Sequence, residues 1–306
     1  MQQENPMVKI AVEPANWRRD VLSKAVEAAG AQVSDASEAS ALVWVDSECG
    51  KIADSLHDGI DWVQLPWAGI EPFRPVLDHK RQWTCGKGIY AEPVAEHVLA
   101  LILSCLHNLH NYAKAESWAP PIGKSLKDSK VLVLGGGGIT EKLLPLLSAC
   151  GAHTVVLRRT PQLMDHTIRC LGLQQLHNEL PQADIVVLAL ALTEETKSVI
   201  ATEQLALMKS TAWIVNVARG AHIVTDDLVD ALSSKTIAGA ALDVTNPEPL
   251  PNGHALWQLD NCLITPHVGN TPEMGIALLT AHIEENVHRY INGKELLGPV
   301  NVDAGY

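Results

Sequence analysis

A strand-like run that leads directly into four glycines constrains the fold of this chain more than any other feature. The run is KVLVL at Lys130–Leu134, the glycines are Gly135–Gly138, and a mostly apolar, helix-like segment follows from Ile139. Glycine lets the backbone approach a bound group, and a helix N-terminus offers unpaired N–H groups and a partial positive charge to a phosphate. The order therefore predicts a dinucleotide-binding βαβ unit. The predicted cofactor-binding residues of this turn are Gly135, Gly137, Gly138 and Ile139.

The glycine turn departs at one position from the G-x-G-x-x-G fingerprint. Gly135 and Gly137 fill the first two glycine positions, but the third falls on Thr140, which we expect to loosen the contact between helix and strand slightly. Four glycines alone would fit an ordinary flexible turn equally well. The strand before them and the helix after them favour the nucleotide site.

The residues after the next predicted strand bear on the choice of cofactor. This strand, Thr154–Leu157, is followed by Arg158 and Arg159 rather than by the Asp or Glu that binds the ribose hydroxyls in an NAD-selective site. Two guanidinium groups can instead hold the 2′-phosphate of NADP. Two solvated loop arginines are the alternative. The expected cofactor is therefore NADP or NAD, with NADP favoured.

Short apolar runs alternate with helix-like segments along the whole chain. Strands are expected at Val8–Val12, Ala41–Val45, Trp62–Leu65, Lys130–Leu134, Thr154–Leu157, Asp184–Leu190, Trp213–Val217, Gly239–Leu242 and Cys262–Ile264. Helices are expected at Asp20–Ala29, Pro93–Asn111, Ile139–Gly151 and Pro272–Ile291. This alternation is typical of parallel βαβ units and a doubly wound α/β sheet. A length of 306 residues suits two lobes that share a cleft.

Composition excludes several other classes of protein. The net charge is −12 and no cluster of Lys and Arg suggests a nucleic-acid partner. The six cysteines form no C-x-x-C pair or metal-ligand spacing, so we expect reduced thiols and no metal site. The N-terminus has no signal-peptide pattern, and no apolar run is long enough to span a bilayer. We therefore expect a soluble cytoplasmic protein with no membrane partner.

Three predicted strands beyond the glycine turn end in polar residues. The segments that follow or overlap these strand ends are Asn216–Gly220, Ala241–Val244 with Pro247–Leu250, and Ile264–Gly269. Ligands bind at the carboxyl ends of strands in an open parallel sheet. We therefore expect the reactive groups of the chain to lie in these segments.

The chemistry available there suits the reduction of a 2-oxoacid. Arg219 can grip a carboxylate with its planar, permanently charged fork. His267 can donate a proton, since histidine titrates near neutrality, and the Glu248 carboxylate can keep it protonated and oriented. Taken singly, each residue would fit a surface ion pair, a turn histidine or a solvated loop charge. Their occurrence together after a dinucleotide turn favours the catalytic interpretation.

In these features the sequence resembles the D-isomer-specific 2-hydroxyacid dehydrogenases over nearly its whole length, and among them the glyoxylate/hydroxypyruvate reductase-like or phosphoglycerate dehydrogenase-like members. The residues that carry the resemblance are Val94–His97, Leu134–Ile139, Leu192-Thr193, Glu195-Thr196, Asn216–Gly220, Ala241–Val244, Glu248-Pro249 and Thr265–His267. The resemblance implies two Rossmann-like doubly wound domains. A cofactor domain, residues 93–284, would be inserted in a discontinuous flavodoxin-like substrate domain of residues 1–92 and 285–306. It also implies a homodimer.

The resemblance further implies a role for several residues. Arg219 would bind the substrate carboxylate and carbonyl, His267 would be the general acid/base, and Glu248 would be its partner. Asp243 would contact the nicotinamide end of the cofactor. In the first lobe, the segment LPWAGIE resembles the loop that holds the substrate carboxylate. Its predicted substrate-binding residues are Trp67, Ala68 and Gly69, although a core position would explain Trp67 equally well.

Two other functions compete with a hydride-transferring oxidoreductase. The same fold also serves nucleotide-sensing, corepressor-like binding proteins, and these can retain the same catalytic residues. An S-adenosylmethionine-dependent methyltransferase would use the glycine turn but would leave Arg219, Glu248 and His267 unexplained. The sequence therefore favours an NAD(P)-dependent enzyme that acts on a small 2-oxoacid or D-2-hydroxyacid of the glyoxylate or hydroxypyruvate class.

Overall fold

The computed structural model describes residues 7–303, which divide into two compact α/β units. The first unit comprises the chain up to Tyr90 and again from Thr271, and the second comprises Ala91–Asn270. Each unit is built on a parallel sheet with helices around it. The predicted fold class is thereby confirmed.

The bounds of the elements are as follows. The strands are β1 (Lys9–Glu13), β2 (Gln32–Val33), β3 (Ala41–Trp44), β4 (Trp62–Gln64), β5 (Gln82–Thr84), β6 (Lys130–Leu134), β7 (His153–Leu157), β8 (Arg169–Leu171), β9 (Ile185–Leu188), β10 (Trp213–Asn216), β11 (Gly239–Leu242) and β12 (Cys262–Ile264). The α-helices are α1 (Arg19–Ala28), α2 (Ala91–Leu106), α3 (Leu109–Tyr112), α4 (Gly138–Ala149), α5 (Leu176–Glu179), α6 (Thr202–Leu207), α7 (Thr225–Ser233) and α8 (Pro272–Ile291). Within the described residues, no helix is both long and apolar enough to cross a membrane.

The first unit has a five-stranded sheet in the order β2-β1-β3-β4-β5, with every pair of neighbours parallel. This is the flavodoxin-like order that the resemblance implied. Strand β2 lies next to β1 on one side, and the chain then crosses to β3 on the other side of β1. Neighbouring strands β1 and β3 therefore mark the point where the strand order reverses.

The boundary between the units differs from the predicted one at the C-terminal side. The prediction assigned residues 272–284 to the cofactor domain, but the whole of α8 groups with the first unit. The reason is its buried apolar face, on which Leu279, Ile283 and Val287 belong to the same hydrophobic core as Leu22 and Val26 of α1. Which ligand each unit binds stays a prediction.

The second unit has a seven-stranded parallel sheet in the order β12-β11-β10-β9-β6-β7-β8. The strands at its centre are covered on both faces, and every residue of β9 is buried, as expected for a parallel sheet between helical layers. Helices α2 and α4 pack together, and α2 also contacts β10 and β11. The strands all point the same way, so the loops after β6, β10, β11 and β12 emerge at one edge.

The predicted long helix over residues 93–111 is interrupted. Helix α2 ends at Leu106, Asn108 adopts a left-handed conformation with φ +55°, and α3 follows. His110 of α3 is buried and its Nε2 lies 3.1 Å from the carbonyl oxygen of Asp260. The break therefore turns a polar side chain toward a backbone acceptor in the interior of the unit.

Candidate active site

The carboxyl edge of the second unit's sheet collects the residues that the sequence singled out. The glycine turn follows β6, Arg219 comes three residues after β10, Asp243 follows β11 and His267 comes three residues after β12. Because these strands are parallel members of one sheet, their carboxyl ends share an edge. The fold thus brings predicted cofactor-binding and catalytic residues to the same side of the unit.

The glycine turn has the shape that a pyrophosphate requires. Gly135 has φ +110°, and a Cβ there would lie 2.1 Å from the carbonyl oxygen of Ala189, so no other residue fits. A Cβ on Gly137 would meet no atom within 4 Å, which means that the outer face of the turn is open. Helix α4 begins at Gly138 and is 12 residues long, so its N-terminus lies at the end of the glycine turn. An open backbone turn at a helix N-terminus fits the phosphates of a dinucleotide.

Thr140 ties this turn together. Its side chain is fully buried, and its hydroxyl donates a hydrogen bond of 2.8 Å to the carbonyl oxygen of Gly135. The first turn of α4 is thereby fastened to the start of the glycine turn. Thr140 in the third glycine position therefore contributes a hydrogen bond within the turn.

Two arginines follow β7, the strand that neighbours β6 in the sheet. A Cβ built on Gly136 would lie 2.8 Å from Cδ of Arg158, so the Arg158 side chain runs along the glycine turn. Arg159 is exposed. No carboxylate stands between Leu157 and Thr160. The place where an NAD-selective site has its acid is basic in this chain.

His267 and Glu248 form a close pair. Nδ1 of His267 lies 2.6 Å from Oε1 of Glu248. The hydrogen bond to Glu248 raises the pKa of His267, and the charges of Glu248 and Asp243 add to this effect against the opposing influences of burial and of Arg219. Burial disfavours the Glu248 carboxylate, but its hydrogen bond to His267 and the neighbouring positive charges give a net lowering of its pKa. The pair therefore favours a protonated histidine, and Glu248 engages its Nδ1 rather than its Nε2.

The backbone holds His267 in an uncommon conformation. Its φ is +53°, a left-handed value that non-glycine residues rarely adopt. The His267 N–H donates to the carbonyl oxygens of Asp243 at 2.8 Å and Thr265 at 3.0 Å. Non-glycine residues in such conformations cluster at functional sites, where surrounding contacts compensate for the local strain.

Hydrogen bonds with two buried side chains hold the loop that carries Arg219. The buried Asn216 side chain donates from Nδ2 to the carbonyl oxygen of Arg219 at 2.9 Å and accepts from the N–H of Ala218 at 3.0 Å. The N–H of Arg219 donates to Nδ1 of the fully buried His222 at 3.2 Å. The charge of Arg219 also lowers the pKa of Glu248. Arg219 is thus an electrostatic neighbour of the acid/base pair.

Gly220 explains how the Arg219 loop meets the Glu248 loop. A Cβ on Gly220 would lie 1.9 Å from the carbonyl oxygen of Thr245. The backbone N–H of Thr245 in turn donates to Oε2 of Glu248 at 3.3 Å. Only glycine after Arg219 allows the two loops to approach this closely.

Asp243 organises the loop that carries His267. Its carboxylate is almost fully buried and accepts hydrogen bonds from the Thr265 hydroxyl at 2.6 Å and from the N–H groups of Val268 at 2.9 Å and Gly269 at 3.0 Å. Nε2 of His97 lies 3.2 Å from the same carboxylate. Burial alone would raise the pKa of Asp243, but these hydrogen bonds outweigh it and lower the pKa to about 2. A contact between Asp243 and the nicotinamide end of the cofactor stays a prediction.

Sequence reasoning gave no role to several polar residues that support this site. They are His97, Asn216, His222 and Thr265. The available signal was a polar residue in or next to an apolar run, as with Asn216 at the end of WIVN. Such residues must find hydrogen-bond partners when buried, and here the partners are the loops of the site.

The predicted substrate loop lies in the first unit, after β4. The ring of Trp67 lies 5.5 Å from the ring of Tyr90, and the carbonyl oxygen of Trp67 accepts from the N–H of Gly86 at 3.0 Å. Trp67 is half-buried, Ala68 is exposed and Gly69 is intermediate. The indole Nε1 of Trp67 is buried without a hydrogen-bond partner among residues 7–303. Trp67 is thus packed against Tyr90, and Ala68 directly after it is exposed.

Comparisons with known proteins agree with this geometry. The family model of the NAD binding domain of D-isomer specific 2-hydroxyacid dehydrogenases matches residues 98–269. An uncharacterised protein of Corynebacterium melassecola is 39% identical over 82% of this chain and 85% of its own. Glyoxylate/hydroxypyruvate reductase A of Photorhabdus laumondii is 30% identical over 69% of this chain and 68% of its own.

A solved structure shows the same architecture over almost the full length. It is a D-isomer specific 2-hydroxyacid dehydrogenase of Xanthobacter autotrophicus in complex with NADPH and MES. It is 27% identical, covers 98% of this chain and 100% of its own, and superposes with a TM-score of 0.86. The family match spans more than half of the chain, and the match to the Photorhabdus relative covers more than two thirds of both proteins. The chain therefore belongs to the D-isomer specific 2-hydroxyacid dehydrogenase family and is an NAD(P)-dependent oxidoreductase of 2-hydroxyacids.

Proposed function

We propose that this enzyme reduces small 2-oxoacids of the glyoxylate and hydroxypyruvate class, with NADPH as the favoured reductant. The observation that carries the proposal is the pair of His267 and Glu248, 2.6 Å apart, at the sheet edge that also bears the glycine turn. The Photorhabdus relative, named a glyoxylate/hydroxypyruvate reductase, supports the substrate class. The basic residues after β7 support NADPH over NADH.

The second unit offers the groups that a dinucleotide needs. When bound, NADPH supplies the hydride that reaches the carbonyl carbon of the substrate. In this proposal the backbone of the glycine turn holds the pyrophosphate, the arginines after β7 hold the 2′-phosphate, and Asp243 contacts the nicotinamide end. The proposed cofactor-binding residues are Gly135, Gly137, Gly138, Ile139, Arg158, Arg159 and Asp243.

Protein side chains manage the charge and the proton. We assign to Arg219 the grip on the substrate carboxylate and carbonyl oxygen, because its fork matches both acceptors. In the first unit, Trp67 would form a wall and the backbone amides of Ala68 and Gly69 would bind the carboxylate. Negative charge develops on the carbonyl oxygen as the carbon is reduced. Nε2 of His267 donates its proton to this oxygen and takes it back in the reverse reaction.

Glu248 completes this scheme by acting on His267. Its hydrogen bond to Nδ1 fixes the ring with Nε2 directed away from the pair. Its charge favours the imidazolium, which is the form that reduction requires. Each turnover of reduction leaves a neutral His267, which takes up a proton from solvent before the next.

A panel of 2-oxoacids assayed with NADPH and with NADH tests the proposal. We expect glyoxylate or hydroxypyruvate to be reduced, with a higher kcat/KM when NADPH is the reductant. His267→Ala should lose about 10²- to 10⁴-fold in kcat while its affinity for NADPH stays within a few-fold. NADPH binding without turnover of any 2-oxoacid would favour the corepressor-like function instead, and unchanged kcat in His267→Ala would remove the histidine from the mechanism.

We further propose that the enzyme acts in the cytoplasm as a homodimer, without a nucleic-acid partner. The net charge of −12 supports the absence of nucleic-acid binding, and the dimer rests on the family resemblance. Light scattering of the purified protein should give twice the 33.0 kDa chain mass. A mass of one chain at micromolar concentration would contradict the dimer.

A further inference from the structure

One guanidinium in the first unit lies over two indole rings. Cζ of Arg18 lies 4.8 Å from the ring centroid of Trp17 and 4.8 Å from that of Trp67. Its Nη1 donates to the carbonyl oxygen of Val45 at 2.8 Å. The two ring contacts and the hydrogen bond hold this side chain in place, and such ring contacts are known to stabilise cations.

Arg18 lies where open α/β sheets bind their ligands. It follows β1, and its acceptor Val45 follows β3. Because β2 lies on one side of β1 while β3, β4 and β5 lie on the other, the strand order reverses between β1 and β3. Ligands of such sheets occupy the crevice at the carboxyl ends of the strands at this reversal.

The charge of Arg18 is partly desolvated and lacks a carboxylate partner. Among residues 7–303, no carboxylate oxygen lies within 4.0 Å of its guanidinium. Burial lowers the pKa of Arg18, and the electrostatic influences of Tyr90 and Asp46 offset this only in part. A buried charge is costly unless it is paired, so an anion bound beside Arg18 would gain a strong, charge-assisted contact.

Trp67 connects Arg18 to the proposed substrate loop. The Arg18 guanidinium lies over its ring. The next two residues, Ala68 and Gly69, supply the backbone amides that we assign to the substrate carboxylate. All of these residues belong to the first unit. A substrate held by this loop is therefore within the neighbourhood of a second, unpaired cation.

We propose that Arg18 binds a second acidic group of the substrate, so that the enzyme prefers a 2-oxoacid with an acidic far end over a neutral one of equal length. The inference rests on the proposed function, since it takes the loop at 67–69 as the substrate loop. The planar fork of Arg18 suits a carboxylate or a phosphate ester. The residue thus determines which 2-oxoacid is used, and the proton and hydride transfers are left to other groups.

Matched pairs of substrates test this assignment in the full-length enzyme with NADPH. The pairs of equal carbon number are 2-oxoglutarate against 2-oxopentanoate and oxaloacetate against 2-oxobutyrate. A third pair, 3-phosphohydroxypyruvate against hydroxypyruvate, differs by the phosphoryl group and tests a phosphate ester. In the unmodified enzyme we expect a higher kcat/KM for the acidic member of at least one pair. The pair with the greatest preference identifies the acid as a carboxylate or a phosphate.

Substitution of Arg18 should then remove this preference alone. Arg18→Met keeps an unbranched side chain over the indoles, and we expect it to lower kcat/KM for the favoured acid by about 10- to 100-fold. Its kcat/KM for glyoxylate should stay within about three-fold. Arg18→Lys keeps the charge without the fork, and should retain a weaker preference for the acid.

Arg19→Met is the matched control, because this neighbouring arginine pairs with Glu13 at 3.2 Å and is not assigned to the substrate. It should keep the preference for the acid, and NADPH affinity and the thermal midpoint report whether each variant is folded. Equal kcat/KM for acidic and neutral members in the unmodified enzyme would overturn the inference, as would a preference that survives in Arg18→Met. If no 2-oxoacid is turned over at all, the proposed function itself fails.

Discussion

Replacing Glu248 with glutamine removes one charge from the acid/base pair and retains an oxygen that can accept from His267. Nδ1 of His267 and Oε1 of Glu248 are 2.6 Å apart. The hydrogen bond to Glu248 is the largest influence that raises the pKa of His267, and the charge of Glu248 adds to it. Glu248→Gln should therefore lower the pKa of His267 while it leaves the ring oriented.

The size of the effect follows from the exposure of the pair. A hydrogen bond between charged groups contributes about 1.5–3 kcal/mol where water is excluded, and an exposed ion pair about 0.2–1 kcal/mol. The side chains of His267 and Glu248 are 53% and 40% exposed, so solvent screens much of their attraction. We therefore expect Glu248 to stabilise the protonated form of His267, relative to the neutral form, by about 1 kcal/mol. This corresponds to about a five-fold loss of kcat/KM for reduction on the alkaline side of the profile.

The direction of the pH change follows from the proton that the reaction uses. Reduction needs the imidazolium, and a raised pKa keeps His267 protonated to higher pH. In Glu248→Gln the alkaline fall of kcat/KM for hydroxypyruvate reduction should therefore move to lower pH. At pH values where His267 is fully protonated in both the variant and the unmodified enzyme, the part of the loss that comes from the lower pKa should vanish. In the oxidation direction, which needs neutral His267, the acidic limb should also move to lower pH.

A pH series of kcat/KM with hydroxypyruvate and NADPH measures this shift. Glu285→Gln is a matched control, since Glu285 pairs with Arg289 on α8 and belongs to no proposed site. Its profile should coincide with that of the unmodified enzyme. An alkaline limb at the same pH in Glu248→Gln as in the unmodified enzyme would refute the assignment of Glu248 as the residue that sets the proton affinity of His267.

Three further substitutions test the supports of the site. Thr140→Val removes the hydrogen bond to the carbonyl oxygen of Gly135, so it should weaken NADPH binding and lower the free energy of unfolding by about 1–2 kcal/mol. Gly220→Ala places a methyl group against the carbonyl oxygen of Thr245, and should lower both kcat/KM and the thermal midpoint by displacing the Glu248 loop. Arg158→Met should raise the KM for NADPH by about 10-fold and leave the KM for NADH nearly unchanged.

Each of these has its own control. Thr140→Ser keeps the hydroxyl and should bind NADPH nearly as the unmodified enzyme does. Gly123→Ala adds a methyl group at ordinary contact distance, 3.5 Å from the nearest atom, and should leave kcat/KM intact. Equal effects of Arg158→Met on both reduced cofactors would contradict a role for Arg158 at the 2′-phosphate.

The strands that sequence reasoning missed are all at sheet edges. They are β2, β5 and β8, which are two or three residues long and end the two sheets. A central strand such as β6 is covered on both faces and shows an uninterrupted apolar run, which is why its bounds at Lys130–Leu134 were predictable. These three edge strands are short and carry polar or charged residues, so no such run marks them in the sequence, whereas the edge strand β12 is apolar and was predicted at Cys262–Ile264.

The candidate catalytic residues were easier to predict from the sequence than the residues that hold them in place. Arg219, Glu248 and His267 each follow a predicted strand, and the parallel sheet necessarily brings such loops to one edge. The pairing of His97 with Asp243 joins residues that are far apart in the sequence. Nothing in local sequence marks such a pair, because it depends on how α2 packs against the sheet. The left-handed φ of His267 likewise results from hydrogen bonds that only the folded loop provides.

The overall charge of −12 gives no guide to the field at these sites, because the arginines are distributed unevenly. Arg18 lies at the carboxyl edge of the first sheet, and Arg158 and Arg219 lie at that edge of the second. The charges of Glu248 and Asp243 raise the pKa of His267, and both acids are held by hydrogen bonds that favour their ionised forms. Their charges act on the histidine, while in the proposed function the arginines bind the anionic groups of the dinucleotide and of the 2-oxoacid. An acidic chain can therefore bind two anionic ligands, provided that its cations stand where the strands end.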